Sequence, residues 1–136
     1  MLRLASSSIK VYRSFTKYYA RTHEWIDING NTGIVGISDF AQHQMGDVSF
    51  ADFQLNKSVK AGEELGDIES IKSTSPVFAP MSGTIIEVNK AISDDPTIVN
   101  KSPEKDGWLC KLQLSDSTDV GKLMDESSYK KYLASN

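Results

Sequence analysis

Groups able to do covalent chemistry are scarce in this sequence of 136 residues, which holds one cysteine, Cys110, and two histidines, His23 and His43. One cysteine rules out an intramolecular disulfide, and with only two histidines it cannot complete a four-ligand zinc site. Cys110 alternates with Leu109 and Leu112 in a strand-like run and reads as a small buried hydrophobe. His43 keeps company with Asp39, Gln42 and Gln44 and reads as a surface helix residue. The side chain that stands out is an amine. Lys72 lies in a polar bend, Ser70 to Ser75, with Glu69 as a fixed acidic neighbour. A lysine in a turn is ordinarily just solvated. Here strand-like segments bracket it and small hydroxyl residues flank it, which leaves an accessible amine on a rigid support. That is what an enzyme acylating a lysine requires.

The elements that must position this bend read as short strands punctuated by turns. His23–Ile28 and Thr32–Ile37 form a hairpin pattern around Asn29, Gly30 and Asn31, residues that tolerate positive φ. Ser38 and Asp39 can cap a short helix over 39–45 that Gly46 ends. A strand over 48–53 follows, with Val48, Phe50 and Asp52 on one face. The stretches 64–69 and 76–80 flank the lysine bend and place it at a hairpin tip, and a further strand runs over 84–88. The region 89–107 reads as loops around Asp94-Asp95-Pro96 and Pro103, with one apolar piece at Ile98-Val99. Trp108–Leu114 reads as an inner strand. Ser117 or Asp119 can start a terminal helical region that packs through Leu123, Met124, Tyr129, Tyr132 and Leu133. Short strands at this spacing favour a sandwich or barrel.

Charge is unevenly spread. Residues 1–20 hold four cations and no acid, so the remainder carries 11 basic against all 18 acidic side chains. An acidic body argues against nucleic acid as a partner. Mean hydropathy is −0.34 and no apolar run approaches the roughly 20 residues of a membrane helix, so no membrane partner is expected. The basic, Ser-rich N-terminus matches a mitochondrial presequence, and Lys10 after Ser6-Ser7-Ser8 breaks any secretory apolar stretch. Residues 1–17 are therefore expected to be removed, leaving a domain over 18–136.

Glu69-Ser70-Ile71-Lys72 resembles the lipoylation motif of the glycine cleavage system H-proteins. The likeness extends through His23-Glu24-Trp25, Gly33–Ile37, Gly46-Asp47-Val48, Pro80–Gly83, Glu87-Val88-Asn89, Val99-Asn100, Pro103 and Gly107-Trp108-Leu109, about residues 18–133 in all. The resemblance implies a mainly β barrel-sandwich hybrid with short helices and a C-terminal helix. It implies lipoic acid in amide linkage to Lys72 and a carrier, not an enzyme, in the mitochondrial matrix. The implied partners are a pyridoxal-phosphate glycine decarboxylase, a tetrahydrofolate-dependent aminomethyltransferase, a dihydrolipoamide dehydrogenase and a lipoyl-attaching enzyme. The cargo is an aminomethyl group moved from the first to the second. Glu24 matches an acidic position of the family's arm cleft, whereas Pro76 stands where the family commonly has an acid. The alternative is an H-like protein that relays lipoyl groups to 2-oxoacid dehydrogenase subunits, which would use the same lysine. A biotin carrier would have Met on both sides of the lysine, where this chain has Ile71 and Ser73. A 2-oxoacid dehydrogenase lipoyl domain usually has Asp ahead of it, where Ile71 stands here.

Overall fold

A computed structural model describes residues 16–135. In chain order it contains β1 (Thr16–Tyr19), β2 (Glu24–Asn29), β3 (Thr32–Ile37), α1 (Asp39–Met45), β4 (Val48–Asp52) and β5 (Ser58–Val59). Then come β6 (Glu64–Ser70), β7 (Thr74–Phe78), β8 (Gly83–Val88), α2 (Lys90–Asp94), α3 (Ile98–Lys101) and β9 (Cys110–Leu114). A 3-10 turn over Ser117–Lys122 and the terminal helix α4 (Glu126–Ala134) complete it. The strands make two antiparallel sheets, ordered β1-β2-β3-β9-β8-β5 and β4-β6-β7. The expected barrel-sandwich architecture, with short helices and a C-terminal helix, is what the chain forms.

The alternation of side chains along each strand builds the core. Ile26, Val35 and Cys110 lie opposite one another across β2, β3 and β9, all fully buried. They join Leu65, Ile68 and Val77 of the smaller sheet in one cluster. Burial of this kind is worth roughly 25 cal/mol per Å² of apolar surface. The opposite face of β2 is buried as well, because Trp25 packs with Tyr19 and with Tyr129 of α4. Trp25 crosses β3 at Gly36, where a Cβ would sit 2.6 Å from the indole Cε2. The indole N–H donates to the carbonyls of Ile37 (3.0 Å) and Pro103 (3.1 Å), which ties β2 to the loop before β9.

Several sequence expectations shift. His23 is outside β2: its φ is +81°, a left-handed conformation that a strand cannot contain. The strand at 48–53 stops at Asp52, and an irregularity between Val48 and Phe50 turns the phenyl ring outward while Val48 stays buried. The segment 89–107 contains α2, capped by the Asn89 side chain, and the single turn α3. The strand expected over 108–114 begins only at Cys110. Strand β1 pairs with β2 from Thr16 onward, so Thr16 and Lys17 belong to the sheet although both fall within the segment expected to be removed. Residues 1–15 of that segment lie outside the described residues.

Candidate functional site

Lys72 sits at the tip of the β6–β7 hairpin, and the hydroxyl of Ser70 shapes the bend that carries it. Ser70 Oγ accepts from the backbone N–H groups of Lys72 (3.2 Å) and Ser73 (3.4 Å) and donates to the Ser73 carbonyl (3.2 Å). The backbone N–H of Ser70 closes the turn on the same carbonyl at 2.9 Å. Ile71 N–H donates to the Asp47 carbonyl at 3.0 Å, which anchors the tip to the loop after α1. The flanking hydroxyl groups thus do more than stay small, since one of them supplies the turn's hydrogen bonds.

The anchoring loop is itself fixed. Asn100 of α3 donates to the Gly46 carbonyl (2.9 Å) and to Gln42 Oε1 (3.0 Å), and its own side-chain oxygen accepts from Val48 N–H (2.9 Å). Gly46 adopts a φ of +81°, and a Cβ there would lie 3.4 Å from Lys72 Cε. A glycine therefore serves both the backbone turn and the space for the lysine stem. Lys72 is exposed; Nζ makes one long contact, 3.4 Å, to the Gln44 carbonyl, and no carboxylate pairs with it among the described residues.

A cavity of about 240 Å³ opens beside the amine, lined by Lys72, Ser73 and Pro76 from the hairpin, Phe40 and Gln44 from α1, and His23. A larger one of about 400 Å³ lies next to it, with Arg21, Phe78, Pro80 and Leu123 in its wall. Thr22 lines both. Glu24, only 3% exposed, lines neither cavity but hydrogen-bonds to Thr22 and Phe78 of their walls. Its Oε1 accepts from Thr22 Oγ1, and its Oε2 accepts from the backbone N–H of Phe78 at 2.9 Å. Burial raises the carboxyl's pKa above its ordinary 4.5, and the hydrogen bonds from Thr22 and Phe78 work in the opposite direction.

His23 joins the cleft through an unusual backbone. Its N–H donates to the Ala20 carbonyl (3.0 Å) and its carbonyl accepts from Ser38 N–H (2.9 Å), so both backbone groups are committed. The imidazole lies 4.7 Å from the Phe40 ring, and Nδ1 is 2.8 Å from Tyr129 Oη. Sequence reasoning passed over His23, Tyr129 and Asn100 as functional positions. The His-Glu-Trp and Val-Asn segments were visible, but the long-range contacts that give these residues their roles were not. The remaining candidates take structural places. His43 is exposed on α1 beside Asp39, Cys110 is buried with its thiol pushed up to about 12, and no group of side chains able to hold a metal occurs among the described residues.

Comparison with known proteins adds a second line of observation. The profile of the family described as Glycine cleavage H-protein matches residues 17–136. A Glycine cleavage system H protein of Thermotoga maritima is 42% identical over 119 residues, covering 87% of this chain and 96% of that protein. A protein named putative glycine cleavage system H protein, mitochondrial, from Schizosaccharomyces pombe is 36% identical over 132 residues, covering 96% of this chain and 77% of the relative. The crystal structure of a glycine cleavage system H protein from Mycobacterium marinum superimposes with a TM-score of 0.79 at 36% identity, covering 88% of this chain and 97% of that one.

Proposed function

This chain belongs to the glycine cleavage H-protein family, and on that premise we propose that Lys72 is the attachment point of its lipoyl arm. The family is the lipoyl carrier of the glycine cleavage system, a carrier subunit and not a catalytic enzyme, with lipoic acid covalently attached to a lysine. When attached, the lipoyl group supplies a redox-active pair of sulfurs that can take up and release a one-carbon amine. The chain's own residues supply presentation and shelter.

One observation supports the assignment to Lys72 above all. Its amine is exposed at a hairpin tip that Ser70 and the Asp47 carbonyl hold in shape, beside a cavity able to receive whatever the amine carries. Glu24 forms the polar floor under Thr22, where an ammonium on the cargo would meet a carboxylate. Pro76 lines the cavity without offering a charge there, and we read Glu24, bonded to Thr22 behind that wall, as the acid that serves the cargo. We read the partners as glycine decarboxylase, which loads the arm, and the tetrahydrofolate-dependent aminomethyltransferase, which unloads it. Dihydrolipoamide dehydrogenase reoxidises the sulfurs, and a lipoyl-attaching enzyme installs the arm. Intact mass and peptide mapping of the protein purified from its own cells test the assignment. A lipoyl increment on Lys72 is expected; the increment on another lysine defeats the reading.

The basic, acid-free N-terminus supports a mitochondrial address, and relatives in Schizosaccharomyces pombe and Arabidopsis thaliana are named as mitochondrial. Thr16 and Lys17 lie in β1, and Lys17 Nζ is 3.3 Å from Glu104 Oε1, which supports a presequence cut ahead of Thr16. Removing residues 1–15 should keep the fold and leave the protein outside the matrix. Matrix delivery of the truncated chain would refute the address.

A further inference from the structure

We infer that Tyr129 on the C-terminal helix sets the tautomer of His23, so that His23 presents a bare Nε2 to the cleft and accepts a hydrogen bond from the loaded arm. The inference rests on the reading that Lys72 carries the arm.

Tyr129 Oη donates to Ser38 Oγ at 2.7 Å in a buried contact, and Ser38 Oγ also accepts from Ala41 N–H at 3.2 Å as the cap of α1. With the tyrosine proton on Ser38, the 2.8 Å contact between Tyr129 Oη and His23 Nδ1 has the imidazole as donor; a Ser38 hydroxyl turned onto Tyr129 would reverse it, and the tautomer measurement decides between the two. A neutral ring with its proton on Nδ1 carries a lone pair on Nε2. Among the described residues nothing hydrogen-bonds that nitrogen, while His23 lines the cavity beside Lys72, Phe40 and Gln44.

Two further observations agree with such a role. Burial lowers the pKa of His23 below its ordinary 6.5, which keeps the ring neutral at matrix-like pH. The left-handed backbone of His23 is maintained by hydrogen bonds at both its N–H and its carbonyl, and strain of this kind on a non-glycine residue needs surroundings that enforce it. Tyr129 is equally well held, its ring stacked on Tyr19 with centroids 4.3 Å apart. Tyr129 is thus a positioning residue, and His23 is the group that meets the cargo. An arm ending in an ammonium would find a neutral acceptor at His23, with Glu24 behind the Thr22 wall. An oxidised disulfide arm has no proton to donate and would gain nothing from either.

The titratable and charged groups on elements around His23 are Glu24 on β2, Asp39 on α1, Tyr129 and Tyr132 on α4, Arg21 beside it and Lys72 on the hairpin. Two measurements on ¹⁵N-labelled full-length carrier test the inference. The first is the tautomer of His23 in unmodified protein at pH 7.5, read from two-bond ¹H–¹⁵N correlations with exposed His43 as internal control. The Nδ1–H form is expected, and Tyr129→Phe should convert it to a mixture. The second is the decay of the aminomethyl-loaded, lipoylated carrier without its transferase. His23→Asn keeps a residue tolerant of positive φ and should speed decay about tenfold at pH 7.5. Unsubstituted protein should approach the variant's rate as His23 protonates below pH 6.5. In a Glu24→Gln background that pH step should remain, and His23→Asn should remove it.

An Nε2–H tautomer in resting protein overturns the inference, as does a decay rate that His23→Asn leaves unchanged while Glu24→Gln raises it. If Lys72 carries no lipoyl group in the unsubstituted protein, the carrier assignment fails instead, and the tautomer measurement still decides the pairing of Tyr129 with His23.

Discussion

Replacing Glu24 separates the structural job of its carboxylate from the cargo-holding job proposed for it. One oxygen takes the Phe78 backbone N–H at 2.9 Å and the other takes the Thr22 hydroxyl, in a position only 3% exposed. In Glu24→Gln the amide oxygen can keep Phe78, and the amide nitrogen can donate to Thr22 Oγ1 once that hydroxyl rotates. Both polar contacts survive, so the expected stability change is within about 1 kcal/mol. Glu24→Ala leaves a part-buried backbone donor without its partner and removes a buried side chain, together costing about 2–4 kcal/mol. The pH dependence has a defined sign. Burial raises the folded pKa above 4.5, so the folded state binds more protons than the unfolded state from about pH 4.5 up to the raised value. Stability contributed by Glu24 is therefore full below pH 4.5 and lost as pH rises through that window. Glu24→Gln does not titrate and should gain on the unsubstituted protein between pH 4 and pH 7.5. Urea unfolding at both values gives the comparison, and decay of the loaded arm reads the second job. Glu24→Gln should hold its stability at pH 7.5 yet release the cargo faster. If Ala proves no less stable than Gln, the carboxylate is not holding Phe78 and the reasoning fails.

Other substitutions have equally definite outcomes. Lys72→Arg should abolish lipoylation and carriage with an unchanged urea midpoint, because the exposed amine makes only the long contact to Gln44; mass spectrometry and refolding check both halves. Gly36→Ala forces a methyl into the Trp25 ring and should cost about 2–3 kcal/mol, measured by urea unfolding. Trp25→Phe removes the donor shared by Ile37 and Pro103 and should cost about 2 kcal/mol, visible in a lower melting temperature. Asn100→Ala should slow lipoylation of Lys72 by the attaching enzyme more than Lys101→Ala does, with acylation followed by intact mass.

The lysine bend was legible because β-rich stretches bracket its hydroxyl residues, although the strand after it runs over Thr74–Phe78 and not 76–80, and its pairing with β6 is irregular between Glu64 and Gly66. The hairpin of β2 and β3 and the helix after Ser38 were legible for the same local reasons, namely turn chemistry and capping. The rest depended on tertiary structure. Asn89 caps α2 while also donating to the Asp106 and Trp108 carbonyls, a long-range arrangement that hides a helix in a loop-like sequence. The irregularity at Phe50 reversed a face that alternation assigned the other way. Thr16 and Lys17 carry no strand signal of their own, and β2 supplies the pairing that makes them one. At the site, Glu24 came from resemblance and its buried environment from the structure. His23 looked like part of a strand until its backbone and its contact with Tyr129, far along the chain, were seen.

The Asn100 contacts have a consequence for quality control. Lys72 owes its presentation to Ile71 bonding to Asp47, and the loop carrying Asp47 owes its path to a side chain from α3. A peptide bearing Glu-Ser-Ile-Lys has none of this, and neither does a chain whose later half has not folded onto the earlier one. Were Lys72 acylated as proposed, an attaching enzyme that requires the shaped bend would inspect the tertiary structure at the moment it marks it, and misfolded copies would stay unmarked.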